Sequence, residues 1–329
     1  MAAVSTDPLA RLEALSELER DRSPSRRMLV IVNPYATTVS EGLKNLVVYA
    51  LRGRYDVTAV DTQAPGHATE LCRQAARQGY DVVLAFGGDG TVNECANGLI
   101  GSDTPLCCLP GGRANVWCRL LGIPADVVDA TEHLLAIAHL WHPRRVDVGR
   151  VNDRHFLFSS GMGLDASVVE RVDANPRLKA RLGEYYYAWA AINTLHRRYI
   201  VHPPRLEASA GGVSATGVSA VVQNAEHYTY FGDRPVDMAD GSGLQSGDLS
   251  AIVLHRATPL EVPTLGWRAL AKRAQVTDHR RVTGFAGFTE MQVRSADARP
   301  LPLQVDGDYI GDVSHAQFSV MPQSLLIVA

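Results

Sequence analysis

The stretch that most narrows what this chain can fold into is LAFGGDGTVNECANGLI at 84–100. The run DVVLAFGG (81–88) is apolar throughout and stops in glycines, which predicts a buried strand ending at a tight turn. The residues after it predict a helix over 91–100. Gly87, Gly88 and Gly90 let the backbone approach a ligand closely and adopt positive φ. The N–H groups of such a loop, together with those of the next helix N-terminus, converge on one spot that suits phosphate oxygens. Asp89 adds a carboxylate able to hold Mg2+ directly or through water, and Thr91 adds a hydroxyl. The plainer alternative is a tight turn with Asp89 as helix N-cap. The string is neither GxxxxGK[ST] nor the GxGxxG of a first βα unit, and Gly161-Met162-Gly163 is only GxG within a β-like region.

The surroundings of this loop alternate in type. MLVIVNP (28–34) reads as a buried strand ending at Asn-Pro, 40–51 as helix, YDVTAVDT (55–62) as strand, 66–79 as helix and PLCCLP (105–110) as a short strand. That βαβα order predicts a doubly wound α/β domain with a parallel sheet. After Pro143 the texture changes to short strand-like runs separated by Gly, Pro, Asp and Asn, among them RVDVGRV, VSATGVSAVVQN, LSAIVLHR and LPLQVDGDYIG. They predict a second, antiparallel β-rich domain, interrupted by a helix at roughly 176–199 and another near 259–274. The expected organisation is an N-terminal helical extension (1–25), an α/β domain (26–145) and a β-rich domain (146–315). The last residues, 316–329, are strand-like and able to return to the first domain. In the extension, Leu9, Leu12, Leu15 and Leu18 recur every three residues, compatible with dimerisation, membrane contact or packing.

Composition excludes whole classes. A chain of 329 residues with 46% hydrophobic and 20% charged residues is long enough for about two domains and too apolar for disorder. Lys+Arg 32 against Asp+Glu 35 leaves a formal net charge of −3, so no global basic field exists to hold nucleic acid. The five cysteines are odd in number and lack CxxC spacing, which fits reduced thiols in the cytoplasm. No window reaches the ~18 uninterrupted apolar residues of a membrane-spanning helix, and the N-terminus lacks a signal-peptide core. A cytoplasmic protein is expected, with peripheral contact at the inner membrane face left open. Residues 177–198 combine Arg177, Lys179, Arg181, Arg197 and Arg198 with Tyr185, Tyr186, Tyr187 and Trp189. That composition suits either an anionic membrane surface or a packed helix with a solvated basic face.

GGDGTVNE resembles the catalytic domain of the diacylglycerol kinase and sphingosine kinase family, whose GGDGT loop is shared with NAD kinases. IVNPYA (31–36) resembles the family's opening strand, and LPGGRANVWCRLLGIP (109–124) its second nucleotide-side motif. VDVGRVNDRHFLFSSGMGLDASVV (146–169) resembles the start of its second domain, and VDGDYIG (305–311) its late Asp-Gly-Glu motif. The motifs run in family order over roughly 28–329.

The resemblance implies an ATP- and Mg2+-dependent lipid kinase with a diacylglycerol-like acceptor, working in a cleft between the two domains. It implies that Gly87, Gly88, Asp89, Gly90, Thr91 and Asn93 form the phosphate loop, with Thr62 at a neighbouring strand end touching the nucleotide. Asp308 stands where the family's Glu takes the acceptor proton, one methylene shorter. An ordinary Asp-Gly hairpin is the alternative there. Asp165 matches an acidic position that meets the lipid's polar head. Asp248 is the nearest match to a metal ligand in a stretch (239–253) that departs from the family's Asp-Gly loop. Arg113 replaces a small hydroxyl residue, where it could pair with a phosphate or crowd it, and Val116 replaces an Asp. The rivals are an NAD kinase-like phosphotransferase and a non-catalytic nucleotide- or lipid-binding homologue. The partners implied are ATP and a membrane lipid, with a homodimer open.

Overall fold

The structure, a computed structural model, describes residues 26–329 except 37, 176–177, 179–181, 183, 200–202, 259–260, 272–273 and 298. The expected N-terminal helix, and Arg177, Lys179 and Arg181, lie outside the described residues. The chain divides into two compact units. One runs to Val146 and takes back Ser324–Ala329, and the other spans Asp147–Gln323.

In the first unit, strands β1 (Arg26–Val32), β2 (Tyr55–Asp61), β3 (Val82–Gly87) and β4 (Leu106–Pro110) lie in the order β2-β1-β3-β4, every pair parallel. Ile327, near the end of the last strand, adds a parallel bridge to Leu106. Every residue of β3 is buried, as are the last five of β1, so neither strand alternates in polarity. The helices start where the sequence supplies acceptors. The Ser40 side chain accepts from Leu43 N at 3.2 Å to open α1 (Glu41–Leu51). Helix α2 (His67–Arg77) has no cap of its own, because Gly66 precedes it in the left-handed region. The Glu94 carboxylate of α3 (Asp89–Leu99) supplies it, accepting from Gly66 N at 2.9 Å and Ala68 N at 3.3 Å. Helices α4 (Val116–Leu120) and α5 (Val127–Leu140) follow β4, and Asp126 caps α5.

The second unit is built on two antiparallel sheets. One has the order β14 (Val282–Phe288), β13 (Leu249–Leu254), β10 (Ser219–Gln223), β7 (Ser159–Gly163), β16 (Leu301–Val305), β17 (Asp308–Val313). The other pairs the start of β18 (His315–Ile327) with β15 (Glu290–Ser295), then β8 (Leu206–Ala210) and β9 (Val213–Gly217). Met162, Val222 and Leu303 of the first sheet and Leu206, Met291 and Phe318 of the second belong to one buried core. Two short hairpins complete the strands: β5 (Arg144–Val151) with β6 (Arg154–Phe156), and β11 (Thr229–Phe231) with β12 (Arg234–Val236).

The helices of this unit differ from the sequence expectation. Within the helix expected at roughly 176–199, α7 runs Glu184–Thr194 and then widens into a π turn at Leu195–Tyr199, and most of 176–183 lies outside the described residues. Helix α6 (Leu164–Asp173), unforeseen in the sequence, begins directly after Gly163, whose φ of 95° turns the chain out of β7. Its buried residues Ala166, Val169 and Val172 do recur every three positions. Helix α8 (Val262–Leu270) is shorter than the expected 259–274. Among the described residues no helix is long and apolar enough to cross a membrane.

Candidate active site

The first cluster lies at the carboxyl ends of β1, β3 and β4. The order β2-β1-β3-β4 reverses between β1 and β3, and open parallel sheets bind ligands at the strand ends flanking such a reversal. There the GGDGT loop meets Gly111 and Gly112 backbone to backbone. Gly111 N donates to Gly87 O at 2.8 Å. A Cβ on Gly111 would stand 2.7 Å from Gly87 Cα, one on Gly112 2.8 Å from Gly88 Cα, and one on Gly87 2.6 Å from Thr91 Oγ1. Each is closer than real Cβ contacts, so glycine is required on both loops. Asn115, at φ 44°, closes the second loop by accepting from Gly112 N at 2.8 Å and donating to Gly112 O at 2.9 Å. Asn33, just after β1, donates to Thr91 Oγ1 at 3.1 Å and accepts from Tyr35 N at 3.0 Å.

The other nucleotide-side residues fall around this cradle in different ways. Thr62 follows β2 and its N donates to Val32 O at 2.8 Å, at the end of the neighbouring β1. Asn93 is buried on α3, its Oδ1 and carbonyl accepting from Asn97. Arg113 is exposed on the loop before α4. Asp89 accepts from Trp117 N at 3.0 Å, so its carboxylate holds the first turn of α4. Burial pushes the Asp89 carboxyl above the ordinary carboxylate range, opposed by the N–H groups of Trp117 and Val116.

The second cluster lies in the Asp147–Gln323 unit, around the turn between β16 and β17. Asp306 adopts φ 48°, and its carboxylate accepts three backbone N–H groups: Leu157 at 2.7 Å, Phe158 at 3.0 Å and Ser159 at 3.1 Å. Buried Gln304 accepts from Gly307 N at 2.9 Å and donates to Asp165 Oδ2 at 2.9 Å. Tyr228 Oη donates to Asp165 Oδ1 at 2.5 Å. A Cβ on Gly161 would fall 2.1 Å from Asp165 Oδ2, so that glycine makes room for the carboxylate. Burial raises the Asp165 carboxyl above its usual range, and the bonds from Tyr228 and Gln304 oppose the shift. Asp308, the first residue of β17, is exposed, and the next residue's N–H (Tyr309) donates to Asp173 at 3.1 Å. Asp165 and the Asp306–Asp308 turn are thus joined through Gln304. Sequence reasoning missed Gln304, Tyr228 and Asp306 as members of this network.

Asp248 stands apart in the 239–253 loop. Its Oδ1 is buried with no hydrogen-bond partner. Nearby, Asp147 anchors the loop by accepting from Gly247 N at 2.7 Å. Among the described residues no group of three or more His, Cys, Asp or Glu gathers to hold a metal. All five cysteines are buried and free.

Residues 27–151 match the family model of the diacylglycerol kinase catalytic domain. A diacylglycerol kinase of Bacillus subtilis (strain 168) is 26% identical over 294 residues, covering 87% of this chain and 91% of the relative. One from Staphylococcus haemolyticus (strain JCSC1435) is 26% identical over 280 residues, covering 82% and 77%. Among solved structures, a putative diacylglycerol kinase from Bacillus anthracis str. Sterne superposes with TM-score 0.72 at 22% identity, over 93% of this chain and 98% of the other. A diacylglycerol kinase from the same organism gives 0.68 at 19%, with the same coverage. At these identities the structural likeness is one of fold. Residues 27–151 are thus similar to a diacylglycerol kinase catalytic domain, within a fold of an α/β unit and a β-rich unit. Over most of its length the chain is similar to bacterial lipid kinases of the diacylglycerol kinase type.

Proposed function

We propose that this chain transfers the γ-phosphate of ATP to the free hydroxyl of diacylglycerol at a membrane surface. The observation that carries the reading is the double-glycine cradle, where Gly87 and Gly88 pack on Gly111 and Gly112 and keep side chains out of the space at the carboxyl ends of β3 and β4, beside the N-terminus of α3. The phosphates would be held by the 87–91 loop, with Thr62, Asn93 and Arg113 on the nucleotide side. Phosphoryl transfer asks the protein chiefly for positioning and for a group that accepts the hydroxyl proton. Asp308, exposed at the head of β17, is assigned that proton, and Asp165 the acceptor's polar head. Mg2+ fits as a companion of the nucleotide phosphates. The described residues gather no carboxylate cage for it, so no step is assigned to it. A cytoplasmic enzyme meeting an anionic inner membrane face belongs to the same proposal.

The test is incubation with γ-labelled ATP and a panel of acceptors in mixed micelles: diacylglycerol, monoacylglycerol, ceramide, a sphingoid base and, separately, NAD. Label is expected in phosphatidic acid. Label in NADP alone would return the chain to the NAD kinase-like reading. ATP binding with no labelled product would leave a non-catalytic homologue.

A further inference from the structure

Helix α7 is apolar on two opposite sides, and the fold accounts for only one of them. Its inner side is satisfied: Tyr186 and Ala190 are buried against Val172 of α6, and Tyr187 packs at the edge of that cluster. The outer side carries Tyr185, Trp189 and Ile192, which are 75%, 50% and 64% exposed. At about 100° per residue, these three fall within roughly 60° of helix circumference. Leu182 and Leu178 continue the same alternation of three and four toward the N-terminus and are also exposed. Phe231, at the tip of the β11–β12 hairpin, widens the stripe, its ring meeting Tyr185 edge-on at 6.3 Å. A soluble helix shows one apolar stripe, and a second needs something to cover it.

Charge and ring type indicate what covers it. From Tyr185 to Thr194 the helix contains no charged residue. Its C-terminal end runs into exposed His196, Arg197 and Arg198. Arg171 lies 5.5 Å over the Trp189 ring, at the stripe's flank. A stripe that mixes Ile192 with Tyr and Trp rings and ends in Arg matches the composition of a bilayer boundary, where rings sit at headgroup level and Arg meets anionic phosphate.

We propose that the outer face of α7, with Phe231, is the surface by which this protein docks on an anionic lipid bilayer, Tyr185, Trp189 and Ile192 entering the headgroup–acyl boundary. The proposal deepens the lipid-kinase reading by naming the face that meets the membrane, and its test uses neither ATP nor diacylglycerol. The full chain is sedimented with vesicles of phosphatidylcholine alone and of phosphatidylcholine with phosphatidylglycerol. Binding to the anionic vesicles is expected. The combined variant Tyr185→Ser, Trp189→Ser, Ile192→Ser should weaken it by about ten-fold or more, since three apolar side chains no longer leave water. Arg197→Gln with Arg198→Gln should weaken it less, and only on anionic vesicles. A second measurement leaves the stripe intact. With Trp267→Phe removing another exposed tryptophan, vesicles containing brominated lipid should quench Trp189 fluorescence.

Failure of the wild type to bind anionic vesicles, wild-type binding by the triple variant, or unquenched Trp189 on bound protein would each overturn the proposal. So would a dimer in sedimentation equilibrium that the triple variant abolishes while vesicle binding stays unchanged, because the face would then belong to a second copy of the chain. Activity on a short-chain, water-soluble diacylglycerol should survive the triple substitution. If the wild type phosphorylates no lipid in any form yet docks through this face, the kinase reading fails and the docking surface stands.

Discussion

The two motif loops are held in opposite ways. The 87–91 loop is positioned by what is missing: Gly111 and Gly112 let two backbones touch where a Cβ on either would collide with Gly87 or Gly88. The 304–308 turn is positioned by what is present: a buried carboxylate, Asp306, gathers three N–H groups, and a buried amide, Gln304, ties the turn to a second carboxylate, Asp165. The first arrangement suits a bulky anion, since it keeps the space over the loop clear of side chains at a helix N-terminus and adds no fixed negative side chain beyond Asp89. The second suits a carboxylate that must be held in place. One loop should therefore answer to side-chain size and the other to charge.

The largest effect expected from that difference is at Asp308. Asp308→Asn keeps the size and the turn but removes the basic oxygen. A positioned carboxylate typically contributes ~10²–10⁴-fold, so kcat should fall by about that factor while ATP affinity stays near wild type. Steady-state kinetics with diacylglycerol, alongside nucleotide titration, would check it. An Asn variant as fast as wild type would make Asp308 a turn residue only.

Next comes Asp306. Asp306→Ala strands three buried N–H groups and puts alanine at a left-handed φ, so a loss of about 3 kcal/mol or more in unfolding free energy is expected. Asp306→Asn keeps an acceptor and tolerates that φ, and should lose only about 1 kcal/mol. If the two variants melted alike in urea, the carboxylate would not be what holds the turn.

Gly111→Ala probes the other loop. Its Cβ must displace Gly87 Cα, 2.7 Å away, and Val39, 2.9 Å away. Overpacking of this kind costs about 1–3 kcal/mol. Here the strain falls on the cradle, so ATP affinity should drop along with stability. Calorimetric titration with a non-hydrolysable nucleotide would show it, and unchanged affinity would move the phosphate site elsewhere.

What the sequence revealed and what it hid follow the same division. The cradle was legible because its elements are local. A strand buried on both faces reads as an unbroken apolar run, and glycines at its end admit few interpretations. The carboxylate network was hidden because its bonds span the chain: Gln304 and Tyr228 reach Asp165 across 139 and 63 residues. No spacing rule links them. Helix α6 was hidden for a different reason. Gly163 punctuates the strand pattern, and the three-residue recurrence of Ala166, Val169 and Val172 after it is too short to stand out among the strand-like runs around it. At Asp89 the sequence left two roles open, metal carboxylate or helix cap. The cap exists, but on α4, 28 residues further on, not on the helix that Asp89 begins.

That double position of Asp89 gives the smallest and most discriminating expectation. Its carboxyl titrates above the ordinary range in the folded protein because burial disfavours the charged form. The folded state therefore binds the proton more tightly than the unfolded chain does. The stability this confers is complete below the unfolded value near 3.8 and is lost as pH rises through the folded value. At neutral pH the wild type carries a buried charge that the fold does not favour. Asp89→Asn keeps an Oδ1 to accept from Trp117 N and removes the charge. Relative to wild type, the variant should gain unfolding free energy as pH rises from about 4 to 7, while lipid phosphorylation falls. Urea unfolding at several pH values, paired with activity at neutral pH, separates the two roles. Stability that rises while activity falls means the charge is kept for the phosphates at the fold's expense. Stability that falls with rising pH relative to wild type would mean that the ionised carboxylate is itself the fastening for α4.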